Sequence, residues 1–309
     1  MKYINLFKTH ASYESEVNGG VDISLPNVSY CEDVKDVHYN PYNTVEFYVG
    51  EITEPQTVSI YTDKTNHVDV TVSEGSKWYS YVLPKDKGLL KISGNTVNKV
   101  FVKADINTNR ETTIIPRSTV EASFKGSDTS KVTDMSGMFY YCYNLTSLDV
   151  SSFNNSKVID MSGMFKYCSG LTSLDVSSFD TSNVTQMYYM FYDCSGLESL
   201  TLSNFDTSNV TNMSYMFWSC SGLTSLDVSS FNTNMVTNMS SMFQNCANLE
   251  SLDLSNFDTS KVTDMSNMFL HNAKLSTIKM VGCSKATIDK IKAQLTTDGI
   301  INNVIIVTE

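Results

Sequence analysis

From residue 119 onward, apolar residues return on a fixed beat. A Met-Phe pair occurs at Met138-Phe139, Met164-Phe165, Met190-Phe191, Met216-Phe217, Met242-Phe243 and Met268-Phe269, each 26 residues from the next. Six uninterrupted copies at this spacing predict a stacked solenoid, because one unit is too short to bury its own apolar face. Each copy reads in two halves. The first carries Leu145, Leu171, Leu197, Leu223, Leu249 and Leu275, three later Leu148 through Ile278, and two beyond those Val150 through Met280. That L-x-x-L-x-L alternation predicts a parallel strand with its last two apolar residues inward.

The second half keeps apolar residues at offsets 0, 3, 6, 7 and 10, as in Val184, Met187, Met190, Phe191 and Cys194. At 100° per residue these share one face, which predicts a short helix capped by Thr181 or Ser182. Asn144, Gly170, Gly196, Gly222 and Asn248 follow the Cys position by two, where a left-handed residue would close that helix. Phe153, Phe179, Phe205, Phe231 and Phe257 fall after each strand and predict a stacked spine. The fold class expected is thus α/β, a leucine-rich repeat solenoid of six 26-residue units.

The rest of the chain divides around it. Residues 43–112 alternate in short runs punctuated by Gly, Pro and Asn, which predicts about six strands and a small β-sandwich-like domain. Residues 1–42 lack steady periodicity and read as an arm or docking segment. Residues 113–283 form the solenoid, opened by a capping strand at 119–124. Ser284 then begins ATIDKIKAQL, and with INNVIIVTE it makes a C-terminal cap over 284–309.

Composition narrows the function. The net charge is −11, which argues against nucleic acid as a partner. No apolar run is long enough to insert in a membrane, and MKYINLFKTHASYESEV does not read as an export signal. Five of the seven cysteines are one repeat position (Cys142, Cys168, Cys194, Cys220, Cys246), read as reduced core thiols, with a disulfide or metal ladder as alternatives. His10, His38, His67 and His271 are scattered, and no nucleophile-base spacing or phosphate loop occurs, so neither enzymatic activity nor a cofactor is expected.

Two surfaces are candidates for binding. Asp149, Asp175, Asp227 and Asp253 would form a ladder on the strand face, interrupted by Thr201; it is either a cation or polar-glycan site or a solvated face. Tyr188, Tyr189, Tyr192, Tyr215 and Trp218 gather on one flank of the other half, either as a partner site or as packing over neighbouring coils.

The repeat consensus LTSLDVSSFDTSNVTNMSYMFxxCSG resembles the BspA-like leucine-rich repeat surface proteins over residues 119–283. That resemblance implies adhesion or recognition of a host glycan or protein, without catalysis. LPNVSYCEDVKDVHYNPY (Leu25 to Tyr42) resembles virion proteins of the crAss-like gut phages of Bacteroides. It implies a virion-surface protein docked to other virion proteins through residues 1–42, which would need no export signal. The alternative is a bacterial cell-surface adhesin exported by an unrecognised route.

Overall fold

The computed structural model describes residues 28–31, 42–84, 86–108 and 113–309. Its body is a solenoid of about eight turns with parallel strands and little helix. Coils 1 to 6 are numbered here by their Met-Phe pairs.

The N-terminal strands are β1 (Val28–Cys31), β2 (Thr44–Val49), β3 (Gln56–Tyr61), β4 (His67–Val72), β5 (Lys77–Val82), β6 (Lys91–Ser93) and β7 (Val97–Lys103). Then come β8 (Glu121–Ser123), β9 (Ser147–Asp149), β10 (Ser225–Leu226), β11 (Ser251–Asp253) and β12 (Thr277–Lys279). Helix α1 (Lys285–Thr297), a 3-10 turn (Ile301–Asn303) and β13 (Ile305–Val307) close the chain. Strands β1, β5, β2 and β7 form one antiparallel sheet and β4, β3 and β6 another. Val45, Phe47, Val58, Ile60, Val70, Val100 and Val102 are buried in a core shared with the coils. Apart from Tyr42 and β1, which adds an edge strand to the first sheet, the arm over residues 1–42 lies outside the described residues.

Both sheets grow into the solenoid. β7 pairs in parallel with β8 (Val100↔Ala122), and β8 with β9 (Ala122↔Leu148). On the other side, the Ile92 N–H of β6 donates to the Ile114 carbonyl (2.9 Å), and the Ile114 N–H to that of Met138 (2.9 Å) in coil 1. Ile106, whose N–H donates to the Asp128 carbonyl, and Ile114 therefore carry ladder bonds that splice the two units. The strand column resumes at β10, β11, β12 and β13.

The inward columns are as the periodicity predicts. Met190, Phe191, Cys194 and Leu197 have no exposed surface, and their equivalents in the other coils are buried too. The Met-Phe phenylalanines make the main spine: Phe139, Phe165, Phe191, Phe217, Phe243 and Phe269 stack at 5.6 to 6.2 Å with planes within 14°. Phe179 and Phe231 from the post-strand turns pack on it at 6.4 Å.

The second half of each coil is not a helix. It is an arc of successive tight turns, and the backbone donors show why. In coil 3 the N–H groups of Met187, Tyr189, Phe191 and Asp193 donate to the carbonyls of Asn212, Ser214, Met216 and Trp218 in coil 4, at 2.7 to 3.1 Å. The alternate N–H groups of Met190, Tyr192 and Cys194 close turns on Met187, Tyr189 and Phe191. An α-helix would spend every donor on its own i−4 carbonyl and leave none for the next coil. The three-residue turns keep offsets 0, 3, 6, 7 and 10 inward, so the facing pattern held while the conformation did not.

Two residues per arc adopt a left-handed conformation: Gly137 and Tyr141 in coil 1, Gly163 and Tyr167 in coil 2, Tyr189 and Asp193 in coil 3, Tyr215 and Ser219 in coil 4. The Gly and Asn residues after the Cys column are not the left-handed closers. Gly196 serves close approach instead: a Cβ there would lie 2.3 Å from the Ser169 carbonyl oxygen and 2.9 Å from that of Leu171. Asn144 and Asn248 use their amides to reach the Arg117 and Ser221 carbonyls of the preceding turn.

The cap replaces a seventh coil atom by atom. The Asp298 carboxylate accepts the Phe269 N–H (2.9 Å), the bond a next-coil carbonyl accepts elsewhere. Lys290 donates to the Thr259 and Val262 carbonyls, and Thr287 Oγ1 accepts the Thr259 N–H. Thr287, Ile291 and Leu295 of α1 cover the last apolar face.

Candidate functional site

The turn arc positions the aromatic residues. Its outward side chains fall in columns along the solenoid axis, with a spacing set by the inter-coil bonds at about 4.8 Å. Column by column, the left-handed site before each Met-Phe pair holds Gly137, Gly163, Tyr189, Tyr215, Ser241 and Asn267. The site after each pair holds Tyr140, Lys166, Tyr192, Trp218, Gln244 and Leu270, and the next one Tyr141, Tyr167, Asp193, Ser219, Asn245 and His271.

These columns bring the predicted aromatics together. Tyr189 stacks on Tyr215 at 4.8 Å, Tyr192 on Trp218 at 4.3 Å with planes 9° apart, and Tyr188 meets Tyr189 edge-on at 5.6 Å. All five are half-buried. The periodicity argument missed that coils 1 and 2 extend the same surface: Tyr141 stacks on Tyr167 at 4.6 Å, and Tyr167 meets Tyr192 at 5.2 Å. The missed signal lay in offsets 8 and 9 from Val132 and Val158. The result is one aromatic wall across four coils. Tyr189 (φ 59°) and Tyr215 (φ 57°) hold a conformation costing a non-glycine residue roughly 1–2 kcal/mol, where coils 1 and 2 use glycine.

Lys166 sits in the middle. Its Nζ is 4.0 Å from the Tyr189 ring centroid and 4.7 Å from that of Tyr192, with Tyr167 and Tyr140 at 5.5 and 5.6 Å. Its stem passes over Gly163, where an added Cβ would lie 3.8 Å from the Lys166 Cβ and 3.9 Å from its Cδ. Burial pushes the Lys166 ammonium down from its usual range. Burial raises the Tyr140 hydroxyl to about 12, with Tyr141 adding to it, and Tyr189 and Tyr192 shift the same way, so all remain neutral donors near pH 7. Arg117 lies over Tyr141 at 4.7 Å at the N-terminal end.

The acidic ladder is arranged differently. Asp149, Asp175, Asp227 and Asp253 each accept the backbone N–H two residues on, from Ser151, Ser177, Ser229 and Ser255, at 2.9 to 3.0 Å. Bonds from Ser177 and Ser229 hold Asp175 and Asp227 below the ordinary carboxylate range. Asp253 is also low: burial works against this, but bonds from Ser255 and Lys279 outweigh it, with Lys279 at 2.9 Å. Each carboxylate is thus turned toward its own loop, and among the described residues no three His, Cys, Asp or Glu side chains converge as a metal site. The column cysteines are unbridged, and Cys168, Cys194, Cys220 and Cys246 donate to the carbonyls of Phe139, Phe165, Phe191 and Phe217 at 3.0 to 3.1 Å. Of the histidines, His67 packs on Tyr61 at 4.7 Å, and His271 is exposed in coil 6. No helix among the described residues is long and apolar enough to cross a membrane.

No curated protein and no solved structure matches the chain. One protein-family profile does, described as "Mycoplasma protein of unknown function, DUF285", and it matches twice in succession, over residues 108–201 and 196–290. Those spans take in every coil, from the splice at Ile114 to the first turn of α1, and more than half of the 309 residues. The repeat solenoid that presents the aromatic wall is therefore the family's own part of the molecule, and the chain belongs to the DUF285 family.

Proposed function

We propose that this is a non-enzymatic recognition protein of the BspA-like kind, whose aromatic wall on coils 1 to 4 adheres to a glycan or protein on a host cell surface. The observation that carries the reading is the placement of Tyr189 and Tyr215. Two bulky side chains occupy left-handed sites that glycine fills in coils 1 and 2, and they face outward into a continuous half-exposed stack. Stability alone would favour glycine there, so the rings are kept for what they meet. Tyr and Trp rings supply large contact area at low entropic cost, and residues of this type dominate binding energy. The charge of −11 disfavours nucleic acid, and nothing in the reading requires membrane insertion.

In this proposal the solenoid displays the wall from a surface. The favoured setting is a phage particle, with residues 1–42 docked to other virion proteins and the repeats serving host attachment or fibre decoration. The BspA-like resemblance supports a bacterial cell surface as the second setting. Portal, capsid or tail genes beside this one would favour the first, and a location outside any prophage the second.

The direct test uses Tyr189→Gly/Tyr215→Gly. Glycine accepts the backbone conformation, so stability should stay within about 1 kcal/mol of the parent. Binding to Bacteroides cells or purified capsule should fall at least about tenfold. A folded double variant that binds as tightly as the parent refutes the reading.

A further inference from the structure

We propose that the aromatic wall takes an acidic saccharide, whose carboxylates pair with Lys166 and Arg117 while its sugar rings lie along the Tyr and Trp edges. The inference rests on the recognition reading above and names its ligand class.

Lys166 is half-buried, yet none of the hydrogen bonds or ion pairs among the described residues involves its ammonium; its neighbours are four tyrosine rings. A ring face attracts the charge but accepts little hydrogen bonding, so three N–H donors in a partly desolvated site lack a strong acceptor. Three lysines elsewhere show the contrast: Lys99 pairs with Glu121 at 2.8 Å, Lys279 with Asp253 at 2.9 Å, and Lys290 bonds two carbonyls. Asp193, on the neighbouring arc of coil 3, is bound to Ser219 and Ser195 instead. The Arg117 guanidinium likewise lies over a ring without a carboxylate partner among the described residues. In a chain of net charge −11, two such cations on one wall offer donors that oxygen anions would complete.

The geometry favours a saccharide over a peptide. The wall sets its rings coil by coil at a spacing of about 4.8 Å, which suits a polymer of repeating units. Neutral tyrosine hydroxyls add donors for sugar oxygens, and the positively polarised ring edges suit the same oxygens.

The experiment titrates the full chain with polygalacturonate, neutral dextran and poly-glutamate, following binding by calorimetry and tryptophan fluorescence. Polygalacturonate should bind, dextran and poly-glutamate at least about tenfold more weakly, and affinity should fall with added salt. Lys166→Gln should lose about tenfold and Lys166→Arg should retain most of the affinity. If Lys166→Gln melts early, Lys166→Met, which keeps the stem over Tyr189, replaces it. Equal binding of dextran and polygalacturonate, or indifference to Lys166→Gln, overturns the role of the anion. Equal binding of poly-glutamate overturns the saccharide. Failure of all three polymers while cells are still bound through Tyr189 and Tyr215 overturns this inference alone; loss of that dependence as well removes the recognition reading with it.

Discussion

A buried threonine column predicts a stabilising substitution. Thr181, Thr207 and Thr233 each donate their hydroxyl to the carbonyl of Asp206, Asn232 and Asp258 in the following coil, at 2.9 to 3.0 Å. Thr207 and Thr233 also accept the N–H of that same residue at 2.7 to 2.8 Å, as Thr129 does from Asn154. In coil 2 the column holds Asn155, which is 1 % exposed and whose amide nitrogen and oxygen both lack a partner. Asn155→Thr would remove two buried unmet groups and set a hydroxyl against Asp180. An unmet buried polar group costs about 1–3 kcal/mol and a new hydrogen bond contributes about 1 kcal/mol. Since threonine cannot refill the amide volume perfectly, the net gain should be about 2 kcal/mol. Urea unfolding followed by far-UV circular dichroism would read it as a higher midpoint at unchanged slope. The reverse change, Thr207→Asn, should cost a similar amount. If Asn155→Thr is no more stable than the parent while Thr207→Asn is harmless, the column contributes nothing and the reasoning fails.

Three further outcomes follow from the packing. Phe191 is fully buried between Phe165 at 5.6 Å and Phe217 at 5.7 Å, so Phe191→Ala should cost about 3–5 kcal/mol in the same assay; under about 1 kcal/mol would mean the spine is not the core. Gly196→Ala must force coil 3 away from two carbonyls and should lower the thermal midpoint clearly, whereas a variant as stable as the parent would contradict the coil spacing. Burial pushes the Cys142 and Cys246 thiols from 9.0 up to about 12. Unfolded thiols ionise first as pH rises, so the stability these groups contribute is complete below about pH 9 and lost toward pH 12. A urea midpoint that stays flat from pH 8 to 11 would count against buried thiols.

Much of this architecture was legible because side-chain facing obeys spacing. Leu145, Met138, Phe139 and Cys142 and their repeats are buried regardless of how the backbone turns, so a solenoid with these inward columns could be read directly. The backbone of the second half could not, since offsets 0, 3, 6, 7 and 10 fit both a helix and an arc of three-residue turns. What separates them is where alternate N–H groups go, and that depends on a neighbouring coil. Gly196 misled for a similar reason: glycine answers both a left-handed turn and a tight approach, and only the Ser169 carbonyl shows which. The wall was half visible. Tyr189, Tyr192, Tyr215 and Trp218 share helical offsets with each other, but Lys166, Tyr141 and Tyr167 join them only through contacts between coils. The splice of β7 onto β8 carries no local sequence mark, because parallel pairing is set by register across the chain.

The alternation of backbone donors along each arc makes every coil accept on one side the same bonds it offers on the other. Units are thus interchangeable plugs and sockets, while the splice before coil 1 and the cap after coil 6, with Asp298, Lys290 and Thr287, are bespoke. A lineage could lengthen or shorten such a molecule in whole 26-residue steps, moving its display surface outward by about 4.8 Å each time, without redesigning either end.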